Sequence, residues 1–228
     1  HIWIMIHSGS RNLGYQVANY YNKLAIQQNK KSKPPVDPKW QLAYLSLSSD
    51  AGKSYMTEMQ YCVEFALCNR LHMMDQIKEI FESICEKISF ANPLNIAHNY
   101  AAMEKHFGTE LLIHRKGATR AFDHEPGIIP GSQGSKSYIV EGRGNKDSFC
   151  SCSHGAGRKL GRRQAQRMLK LQEEKAFLDK QNIIHAVRSK KDLDEAAGAY
   201  KDIQKVMQNQ EDLVKVIITL QPLAVVKG

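Results

Sequence analysis

A histidine inside a glycine-rich segment is the feature of this sequence best suited to chemistry. His154 is followed by Gly155, Ala156, Gly157 and Arg158. Glycine amides can approach a phosphate closely, and a helix that began after this loop would add a partial positive charge. An arginine adds a fixed fork of donors. A neutral imidazole in this setting could attack a phosphoryl group, although such a segment is more often an ordinary glycine-rich start of a helix.

A second segment combines hydroxyl groups with glycine and proline. Residues 130–134 read Pro-Gly-Ser-Gln-Gly, and Ser137 follows shortly after. Its hydroxyls and backbone donors suit a nucleotide base or a phosphate. An ordinary turn before a strand explains the same residues.

Two isolated histidines are candidate metal ligands, because imidazole is a common ligand for Mn, Zn and Fe. His7 and His98 each end an apolar or small-residue stretch and lead into a polar loop. Taken singly, each is better explained as a surface histidine or as a core histidine whose hydrogen bonds are satisfied. Cys150 and Cys152 precede His154 at spacings of two, which would suit a soft metal site on an extended strand. Small buried cysteines are the simpler interpretation.

The charge of the chain favours polyanionic partners. The net charge is +9 and the pI is about 9.3, values compatible with nucleic-acid binding and with a basic enzyme that lacks it. A run of basic residues from Arg158 to Lys170 predicts a helix with either an RNA-facing flank or a solvated one. The five cysteines are odd in number and do not resemble a secreted disulfide framework, so we expect a reducing, cytoplasmic setting.

The first half of the chain is predicted to be mainly helical. The alternating isoleucines of residues 2–7 predict a strand. Helices are expected from about 12 to 30, with Ser10 as the candidate cap, and from about 49 to 88, with a proline-broken connection at 33–38 between them. The methionine-rich stripe of the second helix indicates a packed core face.

The second half alternates irregularly between the two kinds of element. Strands are predicted at 111–114, 137–140, 183–187 and 214–226, helices at 158–180 and 192–209, and a loop at 143–157. This order predicts an α+β or mixed α/β fold. No apolar run approaches the roughly 20 residues needed to span a bilayer, so no membrane partner is expected.

Taken together and in order, the motifs closely resemble the RtcB family of RNA ligases. The matching stretches are HSGSRNLGYQ (7–16), AHNYA (97–101), HRKGATRAF (114–122), PGSQGSKSYIV (130–140), SHGAGRKLGRRQA (153–165), GAYKDI (198–203) and PLAVVKG (222–228). Seven separated motifs in one order are a specific signal. The resemblance implies the family's α+β architecture of mixed sheet and helices around a metal and nucleotide cleft, with residues 1–228 as the C-terminal portion of a single catalytic domain.

The resemblance also assigns roles to residues. His154 corresponds to the nucleophile that takes GMP from GTP, and His7 and His98 correspond to manganese ligands. The positions that align with guanylate-binding residues are Asn99, Pro130, Gly131, Ser132, Gln133, Ser137, Gly155, Ala156, Gly157 and Lys227. Tyr200 resembles the residue that stacks on guanine. Arg11, Lys116 and Arg158 are expected to contact RNA or phosphate.

The implied activity is a GTP- and manganese-dependent ligation that joins RNA 2′,3′-cyclic phosphate or 3′-phosphate ends to 5′-hydroxyl ends, with two Mn²⁺ ions in the complete enzyme. The implied partners are GTP, tRNA halves or broken RNA, and a helper protein. A non-catalytic RNA-binding relative and a metal-dependent phosphoesterase are the alternatives.

There are departures from the family pattern. The family carries a D-x-x-C segment and an N-H-F-x-E segment on the N-terminal side of HSGSR, and no such segments precede His7 here. These segments supply metal ligands and part of the nucleotide pocket, so the resemblance implies that an N-terminal part is missing and that the isolated chain ligates poorly or not at all. Asn12, Tyr15, Gln133 and Gly161 also differ from the usual residues, as tolerable variation.

Overall fold

The structure is a computed structural model that describes residues 1–31 and 36–226. By backbone contacts the chain divides into two units, His1–Asn95 and Ile96–Gly228. The elements are helices combined with small, mostly antiparallel sheets, which confirms the predicted α+β class. That the units act as one catalytic domain stays a prediction. Among the described residues, no helix is both long and apolar enough to cross a bilayer.

The first unit consists mainly of two helices, α1 (Asn12–Asn29) and α2 (Asp50–Ile84), with a short 3-10 turn at Pro38–Trp40 between them. The N-cap of α1 is Arg11 and not the predicted Ser10, although the Ser10 hydroxyl accepts a hydrogen bond from the Gly14 amide at 3.2 Å and so supports the first turn. Ser49 is the N-cap of α2, and its hydroxyl accepts from the Gly52 amide.

The two helices of this unit pack through a small core. Tyr21 and Ala25 of α1 and Met59 and Cys62 of α2 are buried. The Tyr21 hydroxyl donates to the Glu58 carboxylate at 2.7 Å. Burial, together with this hydrogen bond, raises the pKa of Tyr21 to about 12. The predicted methionine stripe is therefore only partly correct, because Met59 is buried whereas Leu71, further along, is 41% exposed.

The predicted strand at residues 2–7 is wrong. Residues 1–9 have no regular secondary structure, although the alternation survives in that Ile4 and Ile6 are partly buried while Trp3 and Met5 are exposed. A strand requires the backbone groups of a neighbour to complete its ladder. In the part of the chain that the structure describes, no strand pairs with this segment.

Within residues 96–226, the described part of the second unit, there are nine strands. They are β1 (Asn99–His106), β2 (Thr109–Lys116), β3 (Ala118–Arg120), β4 (Pro126–Ile129), β5 (Ser137–Gly142), β6 (Ser151–Ser153), β7 (Ile184–His185), β8 (Val214–Leu220) and β9 (Ala224–Val225). β1 and β2 form a hairpin, β3 pairs with β6, and β4, β5 and β8 form a three-stranded antiparallel sheet. The two-residue strands β7 and β9 run parallel. The predicted strands at 111–114, 137–140 and 214–226 are confirmed, and the one at 183–187 is shorter than expected.

The helices of this unit are shorter than predicted. They are α3 (Arg162–Met168), α4 (Leu171–Asp179) and α5 (Ile203–Gln208), with 3-10 turns at Lys146–Ser148, Lys190–Glu195 and Ala197–Ala199. The helix predicted at 158–180 begins four residues late and is interrupted, because Leu169 is extended and packs beside Gly198. The helix predicted at 192–209 is also wrong, since Ala196 and Tyr200 are extended and Asp202 caps a new helix.

The core of the second unit lies directly beneath the predicted site residues. Its buried members are Ala121, Ile129, Tyr138, Val140, Cys152, Ala156, Ile203, Met207 and Val214. Ile129 precedes Pro130, Tyr138 follows Ser137, and Ala156 lies within the glycine loop. Burying these apolar neighbours fixes the backbone on which the polar residues are carried.

Candidate active site

The glycine loop after β6 is held from two sides. The Ala156 amide donates to the Pro130 carbonyl at 3.0 Å, and the Gly157 carbonyl accepts from the Lys201 amide at 2.9 Å. Gly155 packs so closely on Pro130 that a Cβ would lie 3.0 Å from its carbonyl oxygen. The loop therefore joins two segments that are far apart in sequence, and both carry predicted guanylate-binding residues.

The loop does not open a helix, which corrects the prediction. Gly157 has a φ of +70° and Arg158 makes an isolated antiparallel bridge with Tyr200, so the backbone is extended where the first helical turn was expected. Residues 155–158 thus gain no helix dipole. Any phosphate bound here would rely on loop amides and side chains.

His154 lies beside His98. Their ring centroids are 4.9 Å apart with planes inclined by 39°. The His154 amide donates to the Gly117 carbonyl at 3.4 Å, and a Cβ on Gly117 would lie 3.6 Å from the imidazole. Among the described residues, no group forms a hydrogen bond with the buried Nδ1 of His154. The two residues that the resemblance assigns as nucleophile and as metal ligand are therefore neighbours, and their roles stay predictions.

The Pro-Gly-Ser-Gln-Gly turn is internally braced. The Ser137 hydroxyl accepts from the Gly131 amide at 3.1 Å, and the Ser135 hydroxyl accepts from the Ser132 amide at 2.7 Å. Gln133 is buried and its amide nitrogen donates to the Glu195 carbonyl at 2.9 Å. Of the predicted residues here, Gln133 is used structurally, whereas Ser132 reaches an open cavity.

Arg158 and Tyr200 form a clamp with Glu195. The guanidinium carbon of Arg158 lies 5.1 Å from the centroid of the Tyr200 ring, and one of its nitrogens lies 3.2 Å from the Glu195 carboxylate. Its other donors bond to the carbonyls of Leu160 and Asp194 and to the Tyr200 hydroxyl. The Tyr200 hydroxyl in turn donates to Glu195. Burial, together with this hydrogen bond and the nearby carboxylate charge, raises the pKa of Tyr200 to about 12.

A cavity of about 370 Å³ lies next to this clamp. Its wall combines hydroxyls, charged side chains and two aromatic rings: Ser132, Ser135, Lys159, Glu173, Glu174, Phe177, Ala197, Gly198, Tyr200, Lys201, Asp202 and Ile203. Two of the predicted guanylate-binding residues, Ser132 and Tyr200, are thus brought to one pocket. The carboxylates of this wall were missed, because isolated glutamates on a basic helix give no sequence signal.

Asn99 and Lys116 occupy the base of the β1–β2 hairpin. They are paired in the register of the two strands and both are exposed. His98 precedes Asn99, and Gly117 follows Lys116. The open end of the hairpin therefore adjoins both histidines of the site.

The hairpin is fastened by a buried ionic network that the sequence did not predict. Arg115 donates to both carboxylate oxygens of Glu104, at 2.6 and 2.8 Å, and His106 contacts the same carboxylate at 2.9 Å. Burial alone would raise the pKa of Glu104, but the hydrogen bonds from Arg115 and His106 outweigh it and lower that pKa below its usual range. Arg115 lies within the HRKGATRAF motif, but Glu104 lies in none of the seven motifs, so no sequence signal indicated that the two side chains pair.

The HSGSR loop lies in the first unit. His7 and Arg11 are exposed there, and Arg11 has a positive φ of 56° at the start of α1. The Asn69 amide nitrogen donates to the Ser8 hydroxyl at 2.8 Å, and Arg70 donates to the Ser8 carbonyl at 3.0 Å. These two α2 residues hold the loop, and sequence reasoning missed them because polar residues within a long helix are usually solvated.

The metal site that the resemblance implies stays a prediction. Within residues 1–31 and 36–226, no group of three or more His, Cys, Asp or Glu side chains is arranged to hold an ion. Cys150 and Cys152 are buried free thiols, which confirms the simpler interpretation of that pair. Lys227, a predicted guanylate-binding residue, lies outside the described residues.

These features define a class of protein. It is an α+β protein in which glycine-rich turns lie next to two neighbouring histidines and to a cavity with aromatic rings in its wall. The chain belongs to the RtcB family, because the model of that family, described as tRNA-splicing ligase RtcB, matches residues 1–228.

Curated relatives agree with this family. The chain is similar to the RNA-splicing ligase RtcB of Escherichia coli K12, with 39% identity over all of this chain and 56% of the relative. It is 31% identical to the tRNA-splicing ligase RtcB of Thermococcus kodakarensis, over 99% of this chain and 52% of that protein. It is 32% identical to the RNA-splicing ligase RtcB homolog 1 of Entamoeba histolytica, over 100% of this chain and 48% of that protein. The chain therefore spans about half the length of these relatives.

Proposed function

We propose that this protein is an RNA ligase that joins 2′,3′-cyclic phosphate or 3′-phosphate ends to 5′-hydroxyl ends through a guanylate attached to His154. The observation that carries the proposal is the position of His154, on a braced glycine loop and 4.9 Å from the ring of His98. The names of the relatives, all RNA-splicing or tRNA-splicing ligases, support the same activity.

The first step would form a phosphoramidate. A nitrogen of His154 attacks the α-phosphorus of GTP, a P–N bond forms, and the bond to pyrophosphate breaks. Because Nδ1 is buried, attack is assigned to Nε2. The Gly155–Gly157 backbone lies beside the reacting phosphoryl group, where amides can approach without a side chain.

The guanine would occupy the cavity beside Tyr200. One face of this ring is covered by Arg158, which leaves the other for stacking. Carboxylates on the cavity wall, Glu173 and Glu174, can accept from the N–H groups of a guanine edge. This arrangement suits the binding of a purine nucleotide. It also gives Arg158 a role in holding the Tyr200 ring, in addition to any contact with phosphate.

In the later steps water opens a 2′,3′-cyclic phosphate to a 3′-phosphate and a free 2′-hydroxyl. The RNA 3′-phosphate then attacks the guanylate phosphorus and displaces His154. The 5′-hydroxyl then attacks the activated RNA phosphate, a phosphodiester forms, and GMP leaves. Such transfers depend on in-line positioning and charge neutralisation. His98, and His7 of the first unit, are the imidazoles of this chain proposed as manganese ligands, and a bound ion would neutralise phosphate charge.

The test uses the complete gene product with α-phosphate-labelled GTP and Mn²⁺, followed by denaturing electrophoresis. We expect label on the protein, none on His154→Ala, and normal label on His124→Ala, whose side chain is exposed outside the site. Phosphate release from RNA ends without GTP use would instead indicate a phosphoesterase. Salt-sensitive RNA binding without label would indicate a non-catalytic relative.

A further inference from the structure

The outer face of the β1–β2 hairpin carries a strip of mainly exposed residues, two of them lysines, that leads away from the paired histidines. In the register of the two strands, Asn99 pairs with Lys116, Ala101 with His114, Met103 with Leu112 and Lys105 with Glu110. Opposed residues in an antiparallel pair share a face, so these eight residues lie on one side. We call them the hairpin strip.

The opposite face is turned inward, which fixes the direction of the strip. Glu104, His106 and Arg115 belong to the other side of the hairpin and are buried in their ionic network. Side chains alternate along a strand, so Lys105 and His114 point outward. Both are exposed, as is Met103 at 53%. Ala101 is the buried residue of the strip, and Glu110 is its acidic one.

The two ends of the strip have different chemistry. The base adjoins the site, because the Gly117 carbonyl, one residue beyond Lys116, accepts from the His154 amide. The far end is the hairpin turn, where Phe107 has a positive φ of 50°, is 64% exposed and packs its ring edge to face with that of Phe149, with centroids 5.6 Å apart. From the first to the last of its eight residues, β1 spans roughly 24 Å.

We propose that the hairpin strip binds the single-stranded segment of the RNA that leads to the reacting end. The outward face offers two lysines, Lys105 and Lys116, and the exposed His114, and the exposed ring of Phe107 lies at the turn. Such side chains can bind a single strand, because cations contact phosphates and rings stack on bases. This inference rests on the proposed function for the position of the reacting end, and it adds Lys105, His114 and Phe107 as RNA contacts.

The test compares RNA of two lengths with a 3′-phosphate, a trinucleotide and a long single strand, by fluorescence anisotropy and by ligation in the complete gene product. The double variant Lys105→Ala/His114→Ala should weaken binding of the long RNA roughly 3- to 10-fold. The slope of log affinity against log salt should fall in magnitude by about 0.7 for each phosphate that the variant no longer neutralises. Trinucleotide binding and guanylylation should not change.

The matched control is Lys180→Ala/His124→Ala, which removes the same residue types from exposed positions off the hairpin. It should bind both RNAs as the unmodified protein does. Phe107→Ala should also weaken binding of the long RNA. Phe107→Tyr keeps an aromatic ring and should leave that binding unchanged.

If the Lys105→Ala/His114→Ala variant bound the long RNA with unchanged affinity, the proposed role of the hairpin strip would be wrong. It would also be wrong if the variant lost the same affinity for the long RNA and for the trinucleotide. Absence of guanylylation in the unmodified protein would contradict the ligase proposal. In that case the comparison of RNA binding would still test whether the hairpin strip binds RNA.

Discussion

The imidazole rings of His98 and His154 lie 4.9 Å apart, although one precedes strand β1 and the other follows strand β6. The hairpin and the β3–β6 pair meet at Gly117, which connects β2 to β3. Its carbonyl accepts a hydrogen bond from the His154 amide. A proposed metal ligand and a proposed nucleophile are thus brought together by strand pairing in one unit.

This neighbourhood predicts that His98 governs the metal requirement of guanylylation. We expect His98→Ala to raise the Mn²⁺ concentration needed for half-maximal guanylylation by about 10-fold or more, since removing an imidazole weakens coordination. A chelator should abolish labelling in the unmodified protein, and added Mn²⁺ should restore it. A Mn²⁺ titration of adduct formation measures both, with His124→Ala as control. An unaltered Mn²⁺ titration in His98→Ala would contradict the assignment.

Gly117 is predicted to position the His154 ring. It has a φ of +76°, and an added Cβ would lie 3.6 Å from the imidazole. Gly108 has a similar φ of +81° but open space around it. Alanine at either position should cost about 1–2 kcal/mol of stability from backbone strain. Only Gly117→Ala should slow guanylylation beyond this loss, as single-turnover rates below the melting temperature would reveal. Equal rates for the two variants would remove Gly117 from the site.

Tyr200 is predicted to bind guanine through its ring. Tyr200→Ala should raise the KM for GTP in guanylylation by roughly 10-fold, which corresponds to about 1.4 kcal/mol and falls in the range for one stacked base. Tyr200→Phe keeps the ring but loses the hydroxyl that donates to Glu195, and should stay within about threefold of the unmodified protein. If the phenylalanine variant were as impaired as the alanine variant, the hydroxyl, and not stacking, would be the important group.

The buried pair of Glu104 and Arg115 is predicted to stabilise the hairpin. Their side chains are 5% and 1% exposed, so Glu104→Gln leaves a buried guanidinium without its charge partner and should cost about 3–5 kcal/mol. The exposed Glu110→Gln on the same hairpin is the control. Chemical unfolding monitored by circular dichroism gives both values.

The pH dependence of that loss has a definite sign. The pKa of Glu104 is lowered in the folded protein, so its contribution is complete above the unfolded pKa of about 4 and is lost as the pH falls through the folded value. The stability gap between the unmodified protein and Glu104→Gln should therefore narrow below about pH 4. A gap that widened on acidification would show that the carboxylate is not the stabilising form.

The local sequence pattern was sufficient to predict those elements whose stabilising features lie close together in the sequence. α1 and α2 were predictable because their apolar spacing and capping residues are local in sequence. β5 was predictable because its side chains are buried in a sheet, and β8 because it is rich in β-branched residues although most of them are exposed. The motif order also named His98, His154, Ser132 and Tyr200, which the structure brings together in one unit.

Other features depended on contacts between distant residues. Residues 2–7 have the alternation of a strand but no partner in the described part of the chain. Arg158 lies outside a helix because it pairs with Tyr200, and no spacing rule anticipates a bridge between two loops. Asn69 and Glu195 act through hydrogen bonds that join separate segments of the chain.

The most direct test is to locate the guanylate itself. The complete gene product, incubated with GTP and Mn²⁺ and digested under mildly alkaline conditions that preserve phosphoramidates, should yield one GMP-bearing peptide, and fragmentation should place the mass on His154. Guanylate on a lysine, or on another histidine while His154 is intact, would contradict the proposed mechanism.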